Sequence, residues 1–457
     1  MKKLLLSLFA PLFLIACSEP VSESVEVVEV AGEPVALVYP VTDKVDHVDN
    51  YHGTDVADSF RWLEDDVRES EAVASWVEDE NKVTFAYLDT IEERAAIYSR
   101  MKELWDYERF SLPVKEGGRY FYSYNNGLQN QNVIYTLIDL DAEPDLLIDP
   151  NTWSDDGTVA LASYFPSPDG KHVAYLVQDG GSDWRVGKVM NVETGEVLTD
   201  KLDWLKFTTL SWAGDSSGFY YSRFPATKDE EKFQSLNKDM TVYFHELGTL
   251  QEQDRVAYAR PDQPDWLMGA TVTDDGEHLV VSIVVGTDER HSIVHQDLTD
   301  PKAEPVMIIE GFDYDYTLVG NIGNELYFRT NDVAPRNRLI AINAEQPGPE
   351  HWREVIAQTD DVLDGVSLVG GKVIATYMQD AKTVVKVMDL EGNETGTVDL
   401  PGIGTASGSN ASRCLPQSTM RSWPCAAARR PCSSIPITRR SSPSGWPPTS
   451  SAKQSWA

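Results

Sequence analysis

Residues 167–177 read SPDGKHVAYLV, a tight turn containing glycine followed by a strand of aromatic and β-branched residues. The same unit recurs as KEGGRYFYSY (115–124), AGDSSGFYYSR (213–223), TDDGEHLVVSI (273–283), NIGNELYFRT (321–330) and VGGKVIATYM (369–378). The turn glycines, at positions 118, 170, 218, 276, 323 and 371, are 52, 48, 58, 47 and 48 residues apart. A second strand pair closing on a polar turn follows, as in VMNVETGEVL (189–198). Four short strands at this period predict the blades of a β-propeller.

The repeat predicts a mainly β fold with six blades over residues 106–408. A blade buries its faces only against its neighbours, so the set must close or be capped. A seventh blade would begin near residue 410. An irregular β-sandwich is the alternative architecture.

The composition changes abruptly at Ser409. The chain carries 73 acidic and 39 basic residues, for a net charge of −34. Residues 409–457 contain seven Lys or Arg and no Asp or Glu, so the preceding 408 residues hold 73 acids against 32 bases. The last segment also lacks Val, Phe and Tyr. We interpret residues 409–457 as an aberrant, frameshifted, disordered tail; a natural disordered basic tail is the alternative.

The N-terminus reads MKKLLLSLFAPLFLIAC (1–17), two lysines followed by a short apolar run. The run is too short to cross a bilayer and is flanked as a signal peptide is. Leu14-Ile15-Ala16-Cys17 resembles a bacterial lipobox, which predicts lipidation of Cys17; an ordinary secretory signal is the alternative. Ser18 after the cysteine favours the outer membrane, on the periplasmic side. Residues 18–38 are predicted to form an acidic tether.

Residues 70–105 have apolar positions at helical spacing. Val73, Trp76 and Val77 form one series, and Ile97, Met101 and Leu104 form another. The pattern predicts two amphipathic helices, within a segment of residues 39–105, whose apolar faces need a partner.

Charge and cysteine content exclude several classes of function. A net charge of −41 before the tail disfavours nucleic acid and anionic membrane surfaces as partners. With Cys17 lipidated, residues 18–408 contain no cysteine, which excludes disulfides and cysteine-based zinc sites there. No phosphate loop, HExxH or EF-hand motif is present, so no cofactor or metal is predicted.

Several motifs, both before and within the repeat, resemble those of the prolyl oligopeptidase family of serine peptidases. They include Tyr51-His52-Gly53, Asp58, Arg61-Trp62-Leu63-Glu64-Asp65 and Asn81. Further matches are LWDYERFSLPVKEGGRYFYSYNNGLQNQ (104–131), DPNTWSDDGTVAL (149–161), GSDWR (181–185), GTDER (286–290) and LPGIGTASG (400–408). The resemblance extends from about Tyr39 to Gly408.

The resemblance implies an incomplete seven-bladed propeller, preceded by a short helical segment that belongs to an α/β-hydrolase domain. In this family the propeller admits only short peptides to a serine nucleophile in a G-G-S-Y-G-G turn. That turn is missing from this sequence, and so are the Asp and His expected after it.

A G-x-S-x-G sequence and eight histidines are the candidates for substitute catalytic residues. Gly214-Asp215-Ser216-Ser217-Gly218 fits G-x-S-x-G by letter, but a strand rather than a helix should follow it, so Ser216 is not expected to be a nucleophile. His291 and His295 are four apart in a predicted strand, about 13 Å apart on one face and too distant to share a metal. Structural roles are expected for all eight histidines, and no catalytic residue is predicted.

The sequence is compatible with two functions. The first is a lipid-anchored prolyl oligopeptidase of the cell envelope, which binds short proline-containing peptides, here in a truncated and inactive form. The second is a non-enzymatic surface propeller that binds peptides or protein partners. The hydrolase-like segment before the propeller favours the first, because a stand-alone propeller would leave its apolar helical face exposed.

Overall fold

A computed structural model describes residues 37–227, 236–400 and 402–406. The chain divides into two compact units, Met1–Leu104 and Trp105–Ala457. The predicted signal peptide with Cys17, nearly all of the tether and the whole tail from Ser409 lie outside the described residues. No helix in the described part of the chain is long and apolar enough to cross a membrane.

The first unit contains the two predicted helices, α1 (Glu71–Leu88) and α2 (Arg94–Trp105), the latter ending one residue into the second unit. Ser70 begins α1 by accepting a hydrogen bond from the amide of Val73. The apolar side chains of Ile97, Met101 and Leu104 in α2 are 54, 63 and 50% exposed. The two predicted helices are present; the apolar side chains of α2 are exposed, whereas Val73 of α1 is buried.

A hairpin of β1 (Val48–Tyr51) and β2 (Thr54–Ala57) precedes the helices and was not predicted. His52 and Gly53 form its two-residue turn with φ of 54° and 88°, and the side chain of Asn50 accepts a hydrogen bond from the amide of Gly53. A 3₁₀ turn over Arg61–Glu64 follows, and Arg61 pairs with Asp49, Asp58 and Glu64. The residues of the family-like motifs thus hold the hairpin to the 3₁₀ turn.

The second unit is built from six antiparallel sheets, in agreement with the six predicted blades. The first has five strands and the others have four. In blades 2 to 6 the strands run in chain order from one edge of the sheet to the other, whereas in blade 1 the first two strands both pair with the third. The strands are β3 (Arg109–Phe110), β4 (Val114–Glu116), β5 (Arg119–Asn125), β6 (Val133–Leu137) and β7 (Asp145–Ile148) in blade 1; β8 (Val159–Pro166), β9 (His172–Asp179), β10 (Arg185–Asn191) and β11 (Val197–Leu205) in blade 2; β12 (Leu210–Trp212), β13 (Gly218–Arg223), β14 (Thr241–Glu246) and β15 (Arg255–Tyr258) in blade 3; β16 (Trp266–Val272), β17 (His278–Val285), β18 (Ser292–Asp297) and β19 (Val306–Ile309) in blade 4; β20 (Tyr316–Ile322), β21 (Glu325–Thr330), β22 (Arg338–Asn343) and β23 (Arg353–Ile356) in blade 5; and β24 (Val362–Val369), β25 (Lys372–Gln379), β26 (Lys382–Met388) and β27 (Glu394–Val398) in blade 6.

Apolar clusters fill the interfaces between consecutive blades. Phe121 lies in the cluster between blades 1 and 2, Phe219 in that between blades 2 and 3, and Met268 in that between blades 3 and 4. Phe328 and Tyr377 lie in the clusters that join blades 4 to 5 and 5 to 6. The hydrophobic core is therefore a series of interfaces between neighbouring blades, as propeller architecture requires.

The recurring turn has a specific hydrogen-bond arrangement. In blade 2 the hydroxyl of Ser167 donates to Asp169 over 2.7 Å and accepts from the amide of His172 over 3.0 Å. Thr273, Asp275 and His278 repeat these contacts in blade 4, at 2.7 and 3.1 Å. Gly170 and Gly276 follow the aspartates with φ of 70° and 79°, a region that favours glycine. The S/T-x-D-G repeat therefore encodes a turn that the side chains hold closed.

Blade 3 departs from the predicted turn. Ser216 occupies the left-handed position with φ of 62°, while Gly218 is the first residue of β13 and has no positive φ. The interpretation of Gly218 as the turn glycine was wrong. A β-carbon on Gly218 would lie 2.0 Å from the carbonyl oxygen of His245, so close packing against β14 requires glycine there.

Candidate functional site

Ser216, the serine of the G-x-S-x-G sequence, lies in a turn between two strands, β12 and β13. It is buried, and its hydroxyl oxygen accepts a hydrogen bond from the amide of Asp169 in blade 2 over 3.1 Å. A nucleophile elbow joins a strand to a helix and exposes its serine. Ser216 has neither feature, and its hydrogen bond with Asp169 instead connects the turns of blades 2 and 3.

Asp200, His245 and Asp254 form a buried group of titratable side chains in direct contact. His245 Nε2 lies 3.1 Å from Asp200 Oδ1, and His245 Nδ1 lies 2.7 Å from Asp254 Oδ1. All three side chains are 0 or 1% exposed. Asp200 belongs to β11 of blade 2, whereas His245 and Asp254 belong to blade 3. The group is thus a buried ionic connection between two blades.

The pKa shifts of His245 and Asp200 explain why this connection is ionic. Burial alone would lower the pKa of His245, but hydrogen bonds to Asp200 and Asp254 outweigh burial and raise the pKa to about 9. Burial would raise the pKa of Asp200, yet the hydrogen bonds from His245 and the amide of Gly248 hold it below its usual range. Near neutral pH, His245 is therefore an imidazolium between two carboxylates.

This arrangement resembles part of a catalytic triad but cannot act as one. A general base needs one ring nitrogen free to accept a proton from a nucleophile. Both nitrogens of His245 donate to carboxylates, and Asp254 also accepts a hydrogen bond from the hydroxyl of Tyr221 over 2.6 Å. In the structure His245 connects blades 2 and 3 through two aspartates that the sequence did not reveal as its partners.

His291 and His295 have separate partners. His291 lies just before β18 rather than inside it, and its Nδ1 is 3.1 Å from Asp315. His295 Nε2 lies 2.9 Å from His278 Nδ1, and both rings are buried. Burial lowers the pKa of His295 to about 4, with a further contribution from the charge of His278.

One group of side chains has the residue types of a metal site. The potential ligand atoms of Asp275, Glu277 and His278 all lie within 4.8 Å of one another. However, both ring nitrogens of His278 are engaged, one with His295 and the other with the carbonyl of Gly323. Asp275 already accepts hydrogen bonds from Thr273 and Asn321. These contacts belong to the blade turn, and the group does not fit a metal.

A group of cations lies at the end of the propeller where β10 begins and β13 ends. Arg185 and Arg223 are the terminal residues of these strands. Lys206 Nζ lies 5.3 Å from the ring centroid of Trp184 and 5.0 Å from that of Phe207. The sequence singled out Arg185 only as part of GSDWR. Neither Arg223 nor Lys206 was predicted to be functional, because Arg223 lies 38 residues from Arg185 in the sequence and only the packing of blades 2 and 3 brings their strands together.

The described part of the second unit is therefore a β-propeller domain whose polar groups are suited to structural support and binding. Residues 40–421 match the family model of the prolyl oligopeptidase N-terminal β-propeller domain. The chain belongs to the prolyl oligopeptidase family and represents its N-terminal propeller portion.

Individual relatives agree with this family assignment. The chain is 38% identical to a prolyl endopeptidase of Elizabethkingia meningoseptica over 372 residues, which cover 81% of this chain and 52% of that protein. It is 32% identical to prolyl oligopeptidase A of Amanita bisporigera, covering 68% of this chain and 45% of the relative. The chain spans about half the length of the curated relatives it matches.

Solved structures show the same partial coverage. A structure from an analysis of two prolyl endopeptidases matches with a TM-score of 0.63 and 38% identity, covering 82% of this chain and 54% of that one. Prolyl oligopeptidase B of Galerina marginata, bound to a 35mer hydrolysis and macrocyclization substrate, matches with a TM-score of 0.70 and 26% identity, covering 82% and 55%. Both similarities are to longer chains.

Proposed function

We propose that this chain is the peptide-admitting propeller of a lipid-anchored bacterial prolyl endopeptidase, and that the chain as given does not hydrolyse peptides itself. The observation that supports the proposal most is the family match over residues 40–421, at 38% identity to a prolyl endopeptidase. The hydrolase chemistry would need a Ser, a His and an Asp held together. We place those residues in a part of the enzyme that would follow the composition break at Ser409.

A non-enzymatic propeller that binds peptides or proteins at the cell surface is the second candidate. It is favoured by one structural observation: apolar clusters of buried residues fill the interfaces between consecutive blades from blade 1 to blade 6. A unit with its own core can fold and bind without a second catalytic part. Translation of the DNA beyond codon 408 in the other two frames separates the candidates, since a downstream G-G-S-Y-G-G establishes the enzyme.

The first prediction concerns activity. The purified chain is expected to release no product from a Gly-Pro chromogenic substrate, because Ser216 is buried and hydrogen-bonded to the backbone of Asp169. Ser216→Ala serves as the paired variant, with identical absence of turnover expected. Turnover by the parent chain that Ser216→Ala abolishes would show that Ser216 is a nucleophile and that the proposal is wrong.

The second prediction concerns the anchor at Cys17. Cys17→Ala expressed in a bacterial host should move the protein from the membrane fraction to the soluble fraction, because an acyl chain supplies the membrane affinity. Ser18→Ala, which leaves the lipidated residue in place, is the matched control and should remain with the membrane. If Cys17→Ala also remained there, the lipobox interpretation would have to be abandoned.

A further inference from the structure

Arg185, on β10, and Arg223, on β13, lie on opposite sides of the interface between blades 2 and 3. Side chains alternate across a strand, so Arg185 lies on the same face of β10 as Val189, which belongs to the cluster between these blades. Arg223 likewise shares a face of β13 with Phe219 and Tyr221 of that cluster. Each arginine thus points toward the other's blade.

The backbone brings the two residues to one end of the interface between these blades. Arg185 is the register partner of Leu205 in β11. The neighbouring Trp204 accepts a hydrogen bond through its carbonyl from the amide of Phe224, over 3.2 Å, and Phe224 directly follows Arg223. The backbone of Leu205 and Trp204 therefore links Arg185 and Arg223 at one end of the interface between blades 2 and 3.

Both guanidinium groups have unsatisfied donors. The Nε atoms of Arg185 and Arg223 are buried and have no hydrogen-bond partner. Within the described residues neither group forms an ion pair, whereas Arg329 and Arg353 of blade 5 pair with carboxylates at 3.3 and 2.6 Å. Buried donors without a partner are costly, and this cost is unusual in an acidic protein that could supply a carboxylate.

The surroundings position these donors for a ligand. The guanidinium carbon of Arg223 lies 4.4 Å from the ring centroid of Tyr243, a contact that restricts the orientation of the guanidinium group. Lys206 adds a third cation beside the exposed ring of Phe207. Asp203, an acid close in sequence, is paired with Lys201 instead.

We propose that Arg185 and Arg223 bind a carboxylate group of a peptide at this end of the interface between blades 2 and 3. A carboxylate matches the planar fork of a guanidinium and accepts paired hydrogen bonds from it. This ligand class rests on the proposed function, in which peptides reach the propeller. The carboxylate comes either from the C-terminus of the peptide or from an acidic side chain.

The first test needs no peptide. The full chain is treated with phenylglyoxal in acetate or in an equal concentration of chloride, and modified arginines are located by mass spectrometry. Acetate should reduce modification of Arg185 and Arg223 severalfold relative to chloride, while modification of Arg290, an exposed arginine paired with Asp288, stays the same. Equal modification of Arg185 and Arg223 in both salts overturns the proposal, whatever the peptides do.

The second test identifies the source of the carboxylate. A fluorescent proline-containing peptide is compared with its C-terminal amide and with an amide that carries one glutamate. The free acid or the glutamate form should bind roughly tenfold more tightly than the plain amide. Arg185→Met and Arg223→Met should each remove that difference, whereas Arg290→Met should keep it and Arg185→Lys should keep part of it.

The outcomes separate this site from the proposed function. If acetate protects both arginines but no proline-containing peptide binds, the anion site stands and the peptidase role fails. If all three peptides bind equally and acetate gives no protection, the peptidase role stands and the site is wrong. Melting curves of the methionine variants, compared with the parent, establish that the loss of binding is not a loss of fold.

Discussion

Replacing His245 with alanine is expected to destabilise the propeller by about 3–5 kcal/mol, because two buried carboxylates lose their shared counter-ion. Asp200 and Asp254 are 1 and 0% exposed, so bulk solvent does not screen the negative charge that is left behind. The loss also leaves a cavity beside Phe219, whose ring centroid lies 5.2 Å from that of His245. Urea denaturation followed by far-UV circular dichroism measures the change.

His351→Ala is the matched control, since His351 is half exposed and its nearest carboxylate, on Glu350, is 3.7 Å away. Its free energy of unfolding should change by less than about 0.5 kcal/mol. Asp200→Asn/Asp254→Asn in the His245→Ala background should recover part of the lost stability, because the amides do not carry buried charge. A His245→Ala protein that unfolds at the same urea concentration as the parent would show that this ionic connection does not support the fold.

The repeating turns could be predicted from sequence because their interactions are local. Ser167, Asp169 and Gly170 lie within four residues, and their side chains and backbone determine the turn without help from distant parts of the chain. The six blades follow from counting such turns. The prediction from local sequence was wrong at Gly218. Ser216 adopts the left-handed conformation in this turn, and glycine is required at position 218 because β13 packs closely against the backbone of His245.

The contacts between blades could not be predicted in the same way. His245 is 45 residues from Asp200, and Arg185 is 38 residues from Arg223, in strands that are brought together only when adjacent blades pack. Which side chain faces which blade depends on strand register, and a shift of one residue reverses it. The β1–β2 hairpin was missed for another reason: its strands alternate few apolar residues, so only the His52-Gly53 turn indicated it.

The stability of the propeller is expected to fall on both sides of neutral pH, for opposite reasons. The pKa of His245 in the folded protein is about 9, above its unfolded value near 6.5, so its contribution is complete below pH 6.5 and is lost as the pH rises through 9. The pKa of His295 is about 4, below its unfolded value, so stability is lost as the pH falls from 6.5 toward 4. Each loss amounts to roughly 3 kcal/mol at its limit.

The acid side of this profile can be assigned to one residue. His295→Gln keeps a hydrogen-bond donor for His278 but has no group that titrates between pH 4 and 6.5. The free energy of unfolding of this variant, measured in urea at pH 4.5 and 6.5, should therefore differ much less than that of the parent, while the alkaline decline remains. Carboxylates whose pKa is already held low by hydrogen bonds, such as Asp66 and Asp262 at about 2, lose their contribution only below pH 4. An unchanged acid decline in His295→Gln would assign that decline to groups other than the buried histidine pair of blade 4.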